Sequence, residues 1–272
     1  MKKITLLLTV LLSCLFTSCE EVIDLDLDTA APKLVIEAGI YWQKGTPGNE
    51  QFVQLTTTTD YYSQTIPVVS GATVFITNST QTRFNFTEIP NTGKYVCTNF
   101  QPVLNETYQL TIMHDGETYT ATEKLQPVAP ITRIEQNNEG GFTGDDIEIK
   151  AFFNDPATED NFYLIHYVYS NKITSNYYTL EDTFFQGNEF NSTSDNDDLK
   201  AGDNIEVTHF GISKQYYEYM SILIDVAGGN NGPFQAPPAT VRGNIINQTQ
   251  FDNYPLGYFS LCETDNKTFT IQ

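Results

Sequence analysis

The side chains able to do chemistry are few, and their spacing excludes more reactions than it suggests. His114, His166 and His209 are the three histidines. None has a second histidine or a cysteine at the short spacing by which two side chains share a metal, so no zinc-type site is expected. His166 and His209 fall in alternating apolar runs, where a neutral imidazole packs as core. No Gly-x-Ser-x-Gly elbow, phosphate-cradling loop or dinucleotide glycine pattern occurs. The chain has 34 aspartates and glutamates, yet no pair is singled out by its surroundings for acid–base work. Asp195, Asp197 and Asp198 present oxygen ligands suited to Ca²⁺ but lack the glycine and the distal glutamate of a calcium loop, and a solvated turn accounts for them. The expectation is no catalytic residue, no metal and no cofactor.

Covalent chemistry is expected at one residue, Cys19. Met1-Lys2-Lys3 is a short positive start, and residues 4–16 form an apolar run broken only by Thr5, Thr9, Ser13 and Cys14. That run suits the core of a signal peptide and falls short of the roughly 20 residues that span a bilayer. It ends in Phe16-Thr17-Ser18-Cys19, which resembles the bacterial lipobox. There the cysteine thiol takes a diacylglycerol, the peptide before it (residues 1–18) is removed, and the new amine is acylated. Each buried methylene contributes about 0.8 kcal/mol, so two or three chains anchor stably where one is marginal. Phe16 stands where the lipobox usually has leucine, and Leu11-Leu12-Ser13-Cys14 offers a rival match. Cys19 is preferred, because cutting at Cys14 would leave Leu15 and Phe16 exposed at the mature start. Cys97 and Cys262 remain, and the sequence leaves open whether they form a disulfide.

Charge narrows the partners. The net formal charge is −20, and loss of residues 1–18 removes Lys2 and Lys3 but no acid, giving −22. Such a surface repels nucleic acid and anionic lipid, so neither is an expected partner through charge. The membrane is reached through the lipid.

The elements that must carry these residues read as mainly β. Residues 19–31 alternate acid with Val, Ile or Leu, as an extended acidic tether or a first strand would. From Pro32, short alternating runs at 33–42, 52–59, 72–77, 84–86, 93–97, 107–113 and 117–121 follow one another. The Asp115-Gly116 turn joins the last two. Seven such strands predict an immunoglobulin-like or transthyretin-like β-sandwich over residues 32–127. Pro127-Val128-Ala129-Pro130 reads as a stiff connector. A second β-rich domain is expected over 131–272, with strands at 147–153, 161–169 and 205–210. It carries one helix near 213–227, N-capped by Ser213 and stopped by Gly228-Gly229, with Tyr216, Tyr219, Met220 and Leu223 on one face.

Cys19-Glu20-Glu21-Val22-Ile23-Asp24-Leu25-Asp26 followed by Pro32-Lys33-Leu34-Val35-Ile36-Glu37 resembles the start of an uncharacterised Bacteroidota lipoprotein family, domain of unknown function 4249. Asn154-Asp155-Pro156 before Asn161-Phe162-Tyr163, then Gly232-Pro233-Phe234, Pro237-Pro238, Gly243-Asn244-Ile245 and Pro255-Leu256-Gly257-Tyr258-Phe259, stand in that family's order. The resemblance implies an outer-membrane lipoprotein, commonly encoded beside a TonB-dependent receptor, and no established activity. The expected function is that of a non-enzymatic accessory at the outer membrane, which holds a partner or nutrient for such a receptor; the sequence leaves open whether it faces the cell surface or the periplasm. A stand-alone carbohydrate or peptide binder is the alternative, with Trp42, Tyr61 and Tyr62 as its stacking platform; a hydrolase comes third. Tyr258, Phe259 and Phe234 are the candidate partner surface, on the reasoning that neighbouring residues of an extended segment face opposite ways.

Replacing Cys19 by serine should abolish incorporation of labelled fatty acid and release the protein from membranes. Continued labelling of that variant, together with loss of label in Cys14→Ser, would place the anchor at the rival cysteine.

Overall fold

The computed structural model describes residues 31–272 except 61–62, 142–143, 145, 195, 197 and 228–240. Residues 1–18, expected as a signal peptide, most of the expected tether, Cys19, Tyr61, Tyr62, Asp195, Asp197, Phe234 and the Gly228-Gly229 stop therefore lie outside the described residues.

The expected alternation produces β structure in the first half. β1 (Leu34–Gln43), β2 (Gln51–Thr57), β3 (Thr73–Asn78), β4 (Arg83–Glu88), β5 (Lys94–Cys97), β6 (Thr107–His114) and β7 (Glu117–Lys124) follow the seven runs read from sequence. Their inward positions, among them Ile36, Ala38 and Ile40 of β1 and Tyr108, Leu110 and Ile112 of β6, are buried in one core. Asp115 and Gly116 both take positive φ, 48° and 78°, so the β6–β7 hairpin closes on a tight two-residue turn with His114 opposite Glu117.

The second half adds β8 (Ile131–Gly140), β9 (Asp146–Asn154), β10 (Phe162–Tyr169), β11 (Asn176–Glu181), β12 (Glu189–Thr193) and β13 (Asn204–Ile212). A helix α1 (Lys214–Ala227), a short β14 (Ile246–Asn247) and the long β15 (Leu256–Thr270) complete the chain. β12, β9 and β8 form a separate three-stranded sheet. It packs on β10 and β13 through Phe153, Tyr163, Ile165, Tyr167 and Val207, all buried in a second core. Buried hydroxyls tie the layers together. Tyr163 donates to Asp155 (2.6 Å) and Tyr167 donates to the Ser192 carbonyl (2.9 Å). The protein is thus mainly β, with sandwich-like sheets and, among the described residues, one α-helix. No described helix is long and apolar enough to cross a membrane.

The division into domains at 127–130 needs correction. Residues 32–272 form one compact unit, and a single twelve-stranded sheet runs β11-β10-β13-β15-β1-β2-β5-β4-β3-β6-β7-β14. β15 is the reason. It pairs in parallel with β1 from Val35↔Leu256 to Gln43↔Thr264. It then pairs antiparallel with β13 from Phe210↔Thr264 to Asn204↔Thr270. Phe259 and Leu261 complete the first core together with Ile245, while Ile271, just past the strand's end, enters the second.

The connector is bound rather than loose. Val128 and Ala129 are buried, and the Gln126 amide donates to the Leu261 carbonyl (3.2 Å). The Val128 amide donates to the Glu263 carboxylate (3.0 Å), and the Ile131 amide donates to Asp265 (2.8 Å). The prolines do not isolate two domains; the segment between them is clamped along β15.

Candidate functional site

α1 begins where Ser213 serves as N-cap. Its hydroxyl accepts from the Tyr216 amide (3.2 Å), and its carbonyl accepts the first helical bond from the Tyr217 amide (2.9 Å). Tyr216 and Met220 fall one turn apart and are buried against Leu164, Phe210, Ile212, Tyr258 and Cys262 on the outer face of the large sheet. Beyond that turn the stripe is open, Leu223 37% exposed and Val226 43%, while the helix stays on the sheet through Ile224 and the Ser221–Thr179 hydroxyl contact (2.9 Å). The expected apolar stripe is therefore core over its first two turns and open over its last.

The open part faces the junction of β1 with β15 and leaves a cleft of about 520 Å³, lined by Glu37, Gly39, Tyr41, Tyr216, Tyr219, Met220, Leu223 and Tyr258, among others. Two glycines shape it. A Cβ on Gly39 would stand 2.4 Å from the Tyr41 ring, so only a glycine lets that ring fold back over β1. Gly257 has φ +93°, and a Cβ there would come within 2.1 Å of the Ile36 carbonyl. It lets β15 enter its pairing with β1 beside the cleft. On the helix side three phenol rings converge. Tyr216 and Tyr219 each stand 4.7 Å from Tyr258, and 6.2 Å from each other, centroid to centroid. Tyr41 meets Phe210 edge-on at 5.2 Å.

Part of the Tyr41 ring stays open, 42% exposed, while its hydroxyl is enclosed. Burial pushes this phenol up to about 12, against hydrogen bonds from Tyr216 and Ser260 that lower it. Burial also raises Tyr216 well above the ordinary phenol range. Tyr258 is raised by burial and next by the charge of Glu123, and Tyr219 by burial and then by Glu37. All four phenols are accordingly neutral at physiological pH. They supply π-faces and O–H dipoles, and the Tyr258 hydroxyl donates to the Glu123 carboxylate (3.4 Å). This arrangement can hold a molecule.

Of the described residues predicted from sequence as a partner or ligand surface, Tyr258 borders the cleft, and Phe259 and Trp42 do not. Tyr258 and Phe259 do face opposite ways, but both are buried, at 7% and 0% exposure. Phe259 fills the first core and Tyr258 packs under α1, so neither is a free contact ring; the helix covers the face that sequence reasoning left to solvent. Trp42 is half-buried against the first core, and its indole N–H donates to the Thr46 carbonyl (2.8 Å), which spends the ring on closing a loop. Cys97 and Cys262 are free and buried. His209 stacks between Phe153 (4.5 Å) and Tyr163 (4.7 Å), and burial pushes it down to about 3. His166 stacks on Tyr177 at 4.0 Å. Asp198 stands 3.6 Å from Lys172. Among the described residues no group of three or more His, Cys, Asp or Glu is gathered as a metal would require. Sequence reasoning missed the cleft, whose one visible signal was the tyrosine spacing on the helix.

A family model described as "Domain of unknown function (DUF4249)" matches residues 20–268. No curated protein matches the chain. Among solved structures it is similar to a two-domain fibronectin type III segment of chicken tenascin, at 13% identity, over 66% of this chain and 90% of that one, with TM-score 0.22. It is also similar to the FN1–FN3 domains of chicken CNTN1 (12% identity, 67% and 60% covered, TM-score 0.26). A third is a DUF4785 family protein from Legionella pneumophila (9% identity, 65% and 52% covered, TM-score 0.27); the chain spans about half the length of that protein.

One buried acid supports the site from behind. Glu123 accepts from the Lys124 amide (3.0 Å), the Ser213 hydroxyl (3.1 Å) and, more loosely, Tyr258 (3.4 Å). Burial raises its pKa despite these bonds. An acid with a raised folded-state value binds its proton more readily folded than unfolded. Its contribution is therefore fully present below the unfolded value and is lost as pH rises through the folded one. Glu123→Gln should be more stable than the parent at pH 7, and the difference should shrink as pH falls toward 4. The difference between the two proteins cancels the opposing titration of the remaining acids. A Gln variant that is less stable at pH 7, in paired urea melts, would show that the ionised carboxylate is favourable there.

Proposed function

The chain belongs to the DUF4249 family, and from that premise we propose that it is a lipid-anchored outer-membrane protein that holds a ligand for a TonB-dependent receptor without transforming it. The observation that supports holding is the cleft between α1 and the β1–β15 junction. Its volume of about 520 Å³ lies in the range of roughly 300–1,000 Å³ used by small-molecule sites. Apolar and aromatic side chains form most of its lining, with a few polar groups to fix orientation. Its rigid walls are a sheet and a capped helix, so little conformational entropy is lost when a ligand enters.

Attachment rests on the sequence Phe16-Thr17-Ser18-Cys19. Residues 20–31 separate that cysteine from the folded body by a chain length of at most roughly 40 Å. The chain's strong negative charge adds to that separation, because it disfavours lying against an anionic surface.

Purified in mild detergent from its native membranes, the acylated protein should carry a TonB-dependent receptor barrel in about equal amount, identified by mass spectrometry. Recovery of the lipoprotein alone, from a preparation in which other receptor complexes survive, would contradict the accessory role.

A further inference from the structure

We propose that Lys33, Arg242, Phe251 and Tyr254 form a surface that seats the folded body on phospholipid headgroups, an inference that rests on reading Cys19 as a lipid anchor. Lys33 directly precedes β1, and from Pro32 the chain continues back toward Cys19. The Lys33 ammonium lies over the Tyr254 ring, 3.8 Å from its centroid. The Arg242 guanidinium stands 4.5 Å from the same centroid and 5.1 Å from that of Phe251. Arg242 is exposed, and Phe251 is 61% exposed. Residues from both ends of the folded body thus bring two cations and two rings together where the chain leaves for its anchor. Neither cation is spent on a carboxylate, although Asp252 follows Phe251. Among the described residues the ion pairs belong to Lys44, His114, Arg133, Lys150 and Lys172.

The chemistry of this surface matches a headgroup layer. A cation resting on a ring keeps N–H donors for a phosphate oxygen, and exposed aromatic rings beside basic residues settle at the boundary between headgroup and acyl chain. Residues 20–31 keep the surface within roughly 40 Å of the acylated cysteine. The local concentration of headgroups is therefore high, and a contact too weak to recruit a free protein is populated. The net charge of −20 does not oppose it at close range, because salt screens exposed charges beyond about 8 Å. Those acids instead keep the remaining surface from lying down. Contact is confined to the end of the fold where β1 begins, and the body stands on it.

The acylated full chain, purified from its native membranes, is placed in receptor-free nanodiscs. These contain phosphatidylcholine with a minor share of phosphatidylglycerol, brominated in the upper acyl chain to quench nearby indoles. Trp42, the single tryptophan, lies roughly 30 Å along β1 from Lys33 at about 3.3 Å per residue and should keep its emission. Phe251→Trp adds an indole at the surface, and its emission should be strongly quenched. In that background Lys33→Glu and Arg242→Glu should each lower the ratio of seated to free protein at least about fivefold, the effect of one basic residue at an anionic surface. Lys200→Glu makes the same charge change beside Ile271, whose carbonyl accepts from the Gly202 amide (2.9 Å). The fifteen residues of β15 separate that position from Tyr254, and quenching should be unaltered. Cooperative melts show that the variants fold. An unquenched indole in acylated protein would overturn the headgroup surface and leave the anchor standing, as expected if the patch meets the receptor instead. Quenching that ignores Lys33 and Arg242, or that Lys200→Glu reduces equally, would also overturn it. Absence of acyl chains from the intact mass would overturn both the surface and the anchor.

Discussion

Everything else in this fold depends on the double pairing of one strand. β15 gives its first part to β1 and its last part to β13, changing partner at Thr264. Each residue of such a strand has its backbone groups committed on a side that belongs to a different half of the molecule. Its side chains divide in the same way. Phe259 and Leu261 point into the first core, while Tyr258 and Cys262 point to the layer under α1. A residue shift in register would exchange these two sets and put the small Ser260 where Phe259 fills the core. The pairing that joins the halves also positions the cleft, because Gly257 and Tyr258 enter it from the same strand.

The acids near the end of β15 explain why the connector does not behave as a linker. Glu263 is 4% exposed and accepts from the Val128 amide while its other oxygen meets Lys44 at 2.9 Å. Asp265 takes the Ile131 amide, and Lys267 donates to the Thr132 carbonyl (2.9 Å). Backbone groups in a buried segment must find partners, at a cost of about 1–3 kcal/mol for each one left without. Side chains of one strand here supply them to a segment that lies alongside it. Part of the chain's acidity is therefore structural, although most of it faces solvent.

Legibility in the sequence followed how local each feature was. β1 to β7 announced themselves through period-two burial, and Ser213 and the tyrosine spacing announced α1 to within a residue at its start. β8 was silent because Ile131–Gly140 carries polar side chains on much of its length, and its place comes from pairing with β9. The polar second half of β15 was silent for a related reason: its Glu, Asp and Lys side chains satisfy distant backbone groups, so no hydrophobic alternation is needed. The opposed directions of Tyr258 and Phe259 were readable; that a helix some forty residues earlier covers one of them was not. The cleft draws on β1, α1 and β15, three segments far apart in the chain, and no single stretch contains its pattern.

β15 makes the two sandwiches one cooperative body. Native-state hydrogen exchange across a denaturant series tests this directly. The slowest amides of β3 and β6, in the first sandwich, and of β10 and β13, in the second, should merge onto a single unfolding isotherm. Exchange of one set through an opening at distinctly lower free energy, with the other set still protected, would show two independently stable domains and contradict the account.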